Sequence, residues 1–141
     1  MARTDLRTRV GIIGSNRYEN KQKIKELIFK LRNSFNGALI IVSGGRLAGT
    51  DTYVKKYALE FNCEFKEFNP AYTQCSIYSV LAENYYGKPY SPRYLFHRNS
   101  MMVKYVDYLF IFKSDAEKEN MDIDSVIKEA TKLEKKFIII S

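Results

Sequence analysis

The sequence predicts an α/β protein built in three layers, with a mostly parallel sheet of about five strands between two layers of helices. Short runs of continuously apolar residues alternate along the chain with longer stretches in which apolar residues recur every three to four positions. Continuously apolar runs are typical of strands covered on both faces, as in a parallel sheet. A helical stretch between consecutive strands supplies the crossover that parallel strands require.

Five short runs account for the strands. The second is continuously apolar and rich in β-branched side chains, and the third alternates before it stops at Asn69 and Pro70. The first two lead directly into turns that contain glycine. We therefore predict strands over residues 9–13, 38–42, 64–68, 108–112 and 137–140.

Four longer stretches carry the helical period. In the first, apolar residues recur from Ile24 to Phe35 with lysines between them, and the stretch ends near Asn36 and Gly37. Residues 70–96 show neither period and are rich in tyrosine. We therefore predict helices over about residues 24–36, 49–61, 96–106 and 123–133.

Composition restricts the class of protein. The chain has 141 residues, of which 45% are hydrophobic and 28% charged, so we expect one ordered domain over residues 1–141. No run approaches the roughly 20 apolar residues that a membrane span needs. The charged residues Met1–Arg9 do not form a secretory signal. We therefore expect a cytoplasmic protein that has no membrane partner.

The few cysteines and histidines argue against metal and redox chemistry. Cys63 and Cys75 are isolated, and His97 is the single histidine. Zinc sites and redox pairs need several such residues at short spacing. We therefore predict neither a bound metal nor a resident cofactor.

The turn after the first predicted strand is a candidate ligand site, because ligands of open parallel sheets bind at the carboxyl ends of the strands. Gly14 permits close approach of the backbone, Ser15 offers a short hydroxyl, and Arg17 offers a planar fork suited to phosphate. The alternative is an ordinary turn in which Asn16 or Asn20 caps the following helix.

The loop after the second predicted strand is more specific, since it contains three glycines within six residues and leads into a helix. Glycines let main-chain N–H groups face an anion, and the helix start adds partial positive charge. Asp51 suits either a ribose hydroxyl or the first turn of the helix. The candidate ligand-binding residues of this loop are Ser43, Gly44, Gly45, Gly49, Thr50 and Asp51.

A third candidate segment, residues 97–102, precedes the fourth predicted strand. Arg98 and Asn99 fit contacts to a phosphate or to the edge of a base. Met101 and Met102 fit the core better than a ligand contact. We count this segment with the two loops as part of one ligand site.

Together the three segments resemble the SLOG superfamily, and within it the YspA-like, cpYpsA-related branch that is common in bacteria and their phages. The resemblance runs from about residue 9 to residue 140 and implies a Rossmann-like fold that binds nucleotides or nucleotide-derived signals, usually as a homo-oligomer. The matching positions are residues 10–17, 41–45, 49–51, 57–58, 98–99 and 102.

The same resemblance raises an enzymatic alternative. LOG enzymes, which activate cytokinins, are distant relatives that hydrolyse the N-glycosidic bond of nucleoside monophosphates, and residues 97–102 look like their Arg-bearing motif. The resemblance thus implies a catalytic role for Arg98. The Gly-Gly-x-Gly-Thr motif of those enzymes is missing at the matching residues 113–119, where side chains would block close approach to a phosphate. The carboxylates available in place of the usual glutamate are Glu117, Glu119 and Asp122.

Two functional hypotheses follow, and a third is weaker. The first is a sensor or sequestering protein for a nucleotide-type small molecule, and the second is a nucleoside 5′-monophosphate phosphoribohydrolase. The third, nucleic-acid binding, is suggested by the net charge of +7. That charge clusters around the predicted phosphate loops, which argues against a nucleic-acid partner. For the tyrosines of residues 72–94 we favour a subunit interface or internal packing over stacking on a nucleobase.

Overall fold

The computed structural model describes residues 6–114 and 120–141, which form alternating strands and helices. The strands are β1 (Thr8–Gly14), β2 (Leu39–Ser43), β3 (Glu64–Glu67), β4 (Tyr108–Phe112) and β5 (Lys136–Ile140). The α-helices are α1 (Lys21–Phe35), α2 (Thr50–Glu60), α3 (Pro92–Tyr105) and α4 (Met121–Lys132). A short 3₁₀ turn, Glu83–Tyr85, lies in the tyrosine-rich segment.

The five strands form one parallel sheet in the order β3-β2-β1-β4-β5. In the register, Val10 of β1 lies opposite Ile41 of β2 and Tyr108 of β4. The chain order reverses between β1 and β4, and in such sheets the crevice outside the carboxyl ends of the strands is where ligands bind. The predicted three-layer α/β fold is confirmed, with every observed strand pair parallel.

Both faces of the sheet are covered. Ile12 of β1 packs with Ile24, Ile28 and Val54 of α1 and α2. Its neighbour Ile13 faces the other way, into a second core cluster that contains buried residues of α3 and α4. Adjacent residues of one strand thus enter two cores, which explains why the strands are continuously apolar rather than alternating.

Helix α3 begins four residues before the predicted start. Pro92 occupies the first turn, and the Ser91 hydroxyl accepts a hydrogen bond from the N–H of Arg93. A Ser-Pro pair is a recognised helix start, because proline lacks the N–H that would be unpaired there. Helix α1 begins after Asn20, whose side chain accepts the N–H of Lys23, so Asn20 is the cap that the sequence offered.

Part of the tyrosine-rich segment packs onto the domain itself. The buried Tyr86 donates its hydroxyl to Asn69 Oδ1, and the Tyr78 ring meets Phe65 edge-on. Tyr72 and Tyr90 remain largely exposed and meet each other edge to face.

None of the helices in the described ranges combines the length and the apolar character that crossing a membrane requires.

Candidate functional site

The turn after β1 is packed tightly against its neighbours. A methyl group placed on Gly14 would collide with the Phe112 carbonyl and the Thr50 hydroxyl. Ser15 is fully buried, and its carbonyl accepts both the N–H and the hydroxyl of Thr50. Gly14, Ser15 and Thr50 therefore join β1 to β4 and to the start of α2.

Arg17 lies apart from the other predicted ligand residues. It is exposed and lines a cavity of about 450 Å³ together with Tyr18, Lys23 and Ser141. No residue of the loop after β2 lines that cavity, among the parts of the chain that the structure describes.

The loop after β2 is held by a neighbouring segment and by its own side chains. Gly45 has a φ of 66°, and a methyl group there would lie 2.6 Å from the Asn69 Cα. Its N–H donates to the buried Ser43 hydroxyl. Gly49 also has a positive φ, and it packs against the backbone of Asn16. Both positions thus require glycine by conformation and by contact.

Two arginines and two aspartates form a largely buried cluster at this loop. Arg98 is only 2% exposed, and its Nη1 donates to the Gly44 carbonyl at 3.2 Å. Its Nη2 lies 3.6 Å from Asp122 Oδ1, while Arg46 Nη2 lies 2.5 Å from Asp122 Oδ2. Asp51, 4% exposed, accepts the Arg46 N–H at 3.1 Å. The formal charges of the four side chains balance when both aspartates are ionised.

Burial dominates the electrostatics of Asp51. Desolvation raises the pKa of Asp51 to about 7, against the opposing effects of the Arg98 charge and the hydrogen bond from Arg46. The carboxylate does not cap α2, since Oδ2 accepts the Arg46 N–H and the helix starts after Gly49. Asp51 is therefore a buried group whose proton can come or go near neutral pH.

Asn99 positions one of the aspartates. Its Nδ2 donates to Asp122 Oδ1 at 2.7 Å and to the Asp122 carbonyl at 3.3 Å. Arg98 and Asn99 lie inside α3, within the helix predicted over about residues 96–106. Because a crossover helix runs antiparallel to the strands, the first half of α3 lies over the carboxyl edge of the sheet. The prediction that Met102 belongs to the core is confirmed, as it is fully buried.

Unpartnered polar atoms concentrate in this cluster. In residues 6–114 and 120–141, six buried side-chain nitrogen or oxygen atoms have no hydrogen-bond partner, and five belong to this cluster and the adjoining Asn99. These five are Arg46 Nε, Asp51 Oδ1, Arg98 Nε, Arg98 Nη2 and Asn99 Oδ1. All five are shielded from solvent.

A cleft of about 460 Å³ adjoins the cluster, between the loop after β2 and the segment after β3. Gly45, Arg46 and Asp51 line one side of it. The opposite side holds residues that the sequence analysis did not select, namely Glu67, Asn69, Tyr72, Thr73, Gln74 and Ser76. All of these except Glu67, which lies inside the third predicted strand, follow that strand, and this position was the signal that could have identified them.

The predicted site residues thus fall into two groups, with Arg17 apart from both. Of the loop residues, Gly44 and Asp51 lie against Arg98, and Gly45 is joined to Ser43 by a hydrogen bond within the same loop. Asn99 reaches the cluster through Asp122. Gly14, Ser15, Gly49 and Thr50 form the packed junction beside it, and Arg17 lies in a separate cavity. Glu117 and Glu119, considered as catalytic carboxylates, lie outside the described residues.

No group of three or more His, Cys, Asp or Glu within residues 6–114 and 120–141 is arranged to hold a metal ion. The cluster can instead donate hydrogen bonds to an anion through the guanidinium of Arg98 and accept one at Asp51.

Comparison with known proteins shows which solved structures share this fold. The sequence matches no protein-family model and no curated protein. The structure is similar to the molybdenum cofactor binding protein of the phototrophic bacterium Rippkaea orientalis, with a TM-score of 0.68 and 14% identity over 94% of this chain and 76% of that one. Two structures of the molybdenum cofactor carrier protein of Chlamydomonas reinhardtii each give a TM-score of 0.64, at 14% and 15% identity, again over 76% of their length. At this identity the likeness is one of fold, and the chain is an α/β protein of Rossmann-like, three-layer architecture.

Proposed function

We propose that the protein binds a nucleotide or nucleotide-derived ligand at the carboxyl edge of its sheet, as a sensor or sequestering protein. One observation carries the proposal, namely the five unpartnered polar atoms around Arg98 and Asp51. A buried polar group without a partner costs about 1–3 kcal/mol, and more when it is charged. A ligand that supplies those partners recovers that free energy on binding.

The atoms suit two parts of such a ligand. Arg98 Nε and Nη2 are the two donors with which a guanidinium binds phosphate oxygens in a bidentate manner. Asp51 Oδ1 is an acceptor for a ribose hydroxyl. The balanced charges of the cluster mean that an incoming phosphate competes with Asp122 for Arg98.

Two further observations support a small-molecule ligand. The proteins that share the fold are described as binding or carrying the molybdenum cofactor. The motifs around Gly14, Gly44 and Arg98 resemble those of the SLOG superfamily, in its YspA-like branch, whose members bind nucleotides.

Calorimetry with AMP, ADP-ribose, a cyclic nucleotide, the molybdenum cofactor and inorganic phosphate tests the proposal. We expect a phosphate-bearing ligand to bind, and Arg98→Lys to weaken it about tenfold or more, because lysine keeps the charge but lacks the fork. Arg93→Lys is the matched control, since Arg93 is exposed on the same helix. The absence of binding by all ligands at millimolar concentration would refute the proposal.

The enzymatic alternative, a nucleoside 5′-monophosphate phosphoribohydrolase, is favoured by one observation. The buried carboxyl of Asp51, with its pKa near 7, lies beside Arg98, so it can exchange a proton near neutral pH or stabilise positive charge on a ribose. Release of free base from AMP by the wild type, lost in Asp51→Asn, would establish this activity. A protein that binds AMP without releasing base is a binding protein only.

Assembly, compartment and partners remain predictions from the sequence. We propose a homo-oligomer, a cytoplasmic location and no nucleic-acid partner, the last because the positive charge clusters around the predicted phosphate loops. Light scattering measures the oligomeric state. Salt-dependent binding of a single-stranded oligonucleotide would contradict the expectation that nucleic acid is not a partner.

A further inference from the structure

The cleft beside the Arg98 cluster has the features of a separate subsite. Tyr72, 47% exposed, forms an aromatic wall, and its ring meets that of Tyr90 edge to face at a centroid distance of 5.7 Å. Glu67, at the end of β3, lines the same cleft, although its side chain is only 7% exposed. An aromatic wall near a carboxylate suits a flat heterocycle that carries hydrogen-bond donors.

The side of the cleft opposite the loop after β2 is held rigid by the hydrogen bonds of Asn69. Asn69 uses both amide hydrogens, on the Thr73 hydroxyl and the Gln74 carbonyl, and its Oδ1 accepts the hydroxyls of Ser79 and Tyr86. All four hydrogen-bonding positions of its amide are thus occupied. Asn69 therefore shapes the cleft but has no hydrogen bond left for a ligand.

Glu67, in contrast, has a carboxylate oxygen available for a ligand. Its Oε1 accepts the Ser76 hydroxyl at 2.8 Å and lies 4.0 Å from the Lys55 ammonium. Within the described parts of the chain, no hydrogen bond or ion pair involves its Oε2. The cleft thus presents a nearly buried carboxylate with a free oxygen, and Asp51 lines the same cleft.

We infer that this cleft binds the 2-amino-4-oxopyrimidine edge of a heterocycle. Glu67 accepts hydrogen bonds from the ring N–H and the amino group of that edge, and Tyr72 contacts the face of the ring. Guanine and pterins share that edge, and its two adjacent donors match the free Oε2 and the second lone pair of Oε1, which already accepts the Ser76 hydroxyl. The corresponding edge of adenine presents one donor and one ring acceptor, and the acceptor would face the carboxylate unfavourably. The inference deepens the proposed function, on which it rests, because it names the class of base.

Strand order supports this arrangement. Glu67 ends β3 and Gly44 follows β2, and these strands are neighbours in the sheet. Adjacent strands lie about 4.8 Å apart, which is the spacing at which one ligand can contact the ends of both. A phosphate at Arg98 and a base at Glu67 are then joined by a sugar near Asp51.

Calorimetry with GMP, IMP, AMP and neopterin tests the inference. IMP lacks only the 2-amino group, and neopterin offers the edge without a phosphate. We expect GMP to bind roughly tenfold or more tightly than IMP or AMP, since each lost donor removes a hydrogen bond to the Glu67 carboxylate. Glu67→Gln should remove the preference for GMP. Glu64→Gln, an exposed carboxylate on the same strand, should preserve it.

The outcomes separate this inference from the proposed function. Equal affinities for GMP, IMP and AMP, all dependent on Arg98, would overturn the base subsite and leave nucleotide binding intact. Binding of neopterin that is lost in Glu67→Gln would support the subsite even if GMP does not bind. No binding of any of the four would overturn both. Thermal unfolding of each variant establishes that it is folded, and a Tyr72→Ala variant that binds GMP less tightly would support the aromatic wall independently.

Discussion

The two glycine-containing turns after β1 and β2 are similar in sequence and differ in structure. At the first turn, Gly14 is wedged between β4 and the start of α2, and the charged residue Arg17 lines a separate cavity. At the second, Gly44 lies against the buried guanidinium of Arg98, and Gly45 borders a cleft. A glycine after a strand therefore indicates close approach of another group, and the identity of that group decides whether a ligand can enter.

Charge burial shows the same contrast. Arg98 is enclosed with Asp51 and Asp122, whereas Arg17 faces solvent. Removing a buried partner leaves an uncompensated charge, while removing an exposed one costs little. Four predictions test the contrast.

Arg98→Met should have the largest effect. The substitution leaves Asp51 without its opposing charge and Asp122 with Arg46 alone, so we expect a loss of about 3–5 kcal/mol in the free energy of unfolding. Denaturant titration measures it. The loss should be smaller at pH 5 than at pH 8, because Asp51 is protonated at the lower pH. A variant as stable as the wild type at pH 8 would contradict the buried cluster.

Stability should also depend on pH through Asp51. Its pKa is about 7 in the folded protein and near 3.8 when unfolded, so the folded state holds the proton over the interval in which the unfolded state has released it. The free energy of unfolding therefore falls as pH rises from about 4 to about 7, by an amount on the order of a few kcal/mol. Asp51→Asn should flatten this slope, whereas Asp124→Asn, an exposed carboxylate of α4, should not.

Gly45→Ala should destabilise the second turn by about 1–3 kcal/mol, because a positive φ is strained for alanine and its methyl group would meet Asn69. Gly87→Ala separates the two causes, since Gly87 has a φ of 80° but no atom within 4 Å of an added methyl. Thermal unfolding should show a larger loss for Gly45→Ala. Equal losses would mean that Asn69 moves away from the added methyl group at no cost in stability.

Arg17→Met should have the smallest effect. An exposed side chain away from packing contacts changes stability by less than about 0.5 kcal/mol. If Arg17 contributes to ligand binding, the loss of its solvent-screened contact lowers affinity by less than about fivefold. Calorimetry at two salt concentrations measures the contribution, and a loss as large as that of Arg98→Lys would show that the two turns share one ligand.

Most of the fold could be predicted from the sequence. The continuously apolar strands, with Ile12 and Ile13 entering opposite cores, and the helical period between them indicate a parallel sheet covered on both faces. The start of α3 at Pro92 was missed because the apolar period appears only further along, although the Ser-Pro signal was present.

The candidate site was predictable only in part. Ser43, Gly44, Gly45, Asp51 and Arg98 were selected from motifs, and the structure brings them together. The roles of Asp122 as partner of both arginines and of Asn69 as a rigid wall were not predictable, because their contacts join residues far apart in the chain. Glu67 was classified only as a strand residue, since alternation along β3 does not reveal which face borders a cleft.

The sequence by itself determined the alternation of strands and helices, because hydrophobic periodicity and turn residues act over a few positions along the chain. Only the tertiary structure decided which of the two glycine turns is sealed and which encloses paired charges. That outcome depends on strand order, which places β3 and the segment after it beside β2, and on a helix that carries Arg98 across the edge of the sheet. Contacts between distant segments, and the desolvation that raises the pKa of Asp51, exist only once those segments have packed together.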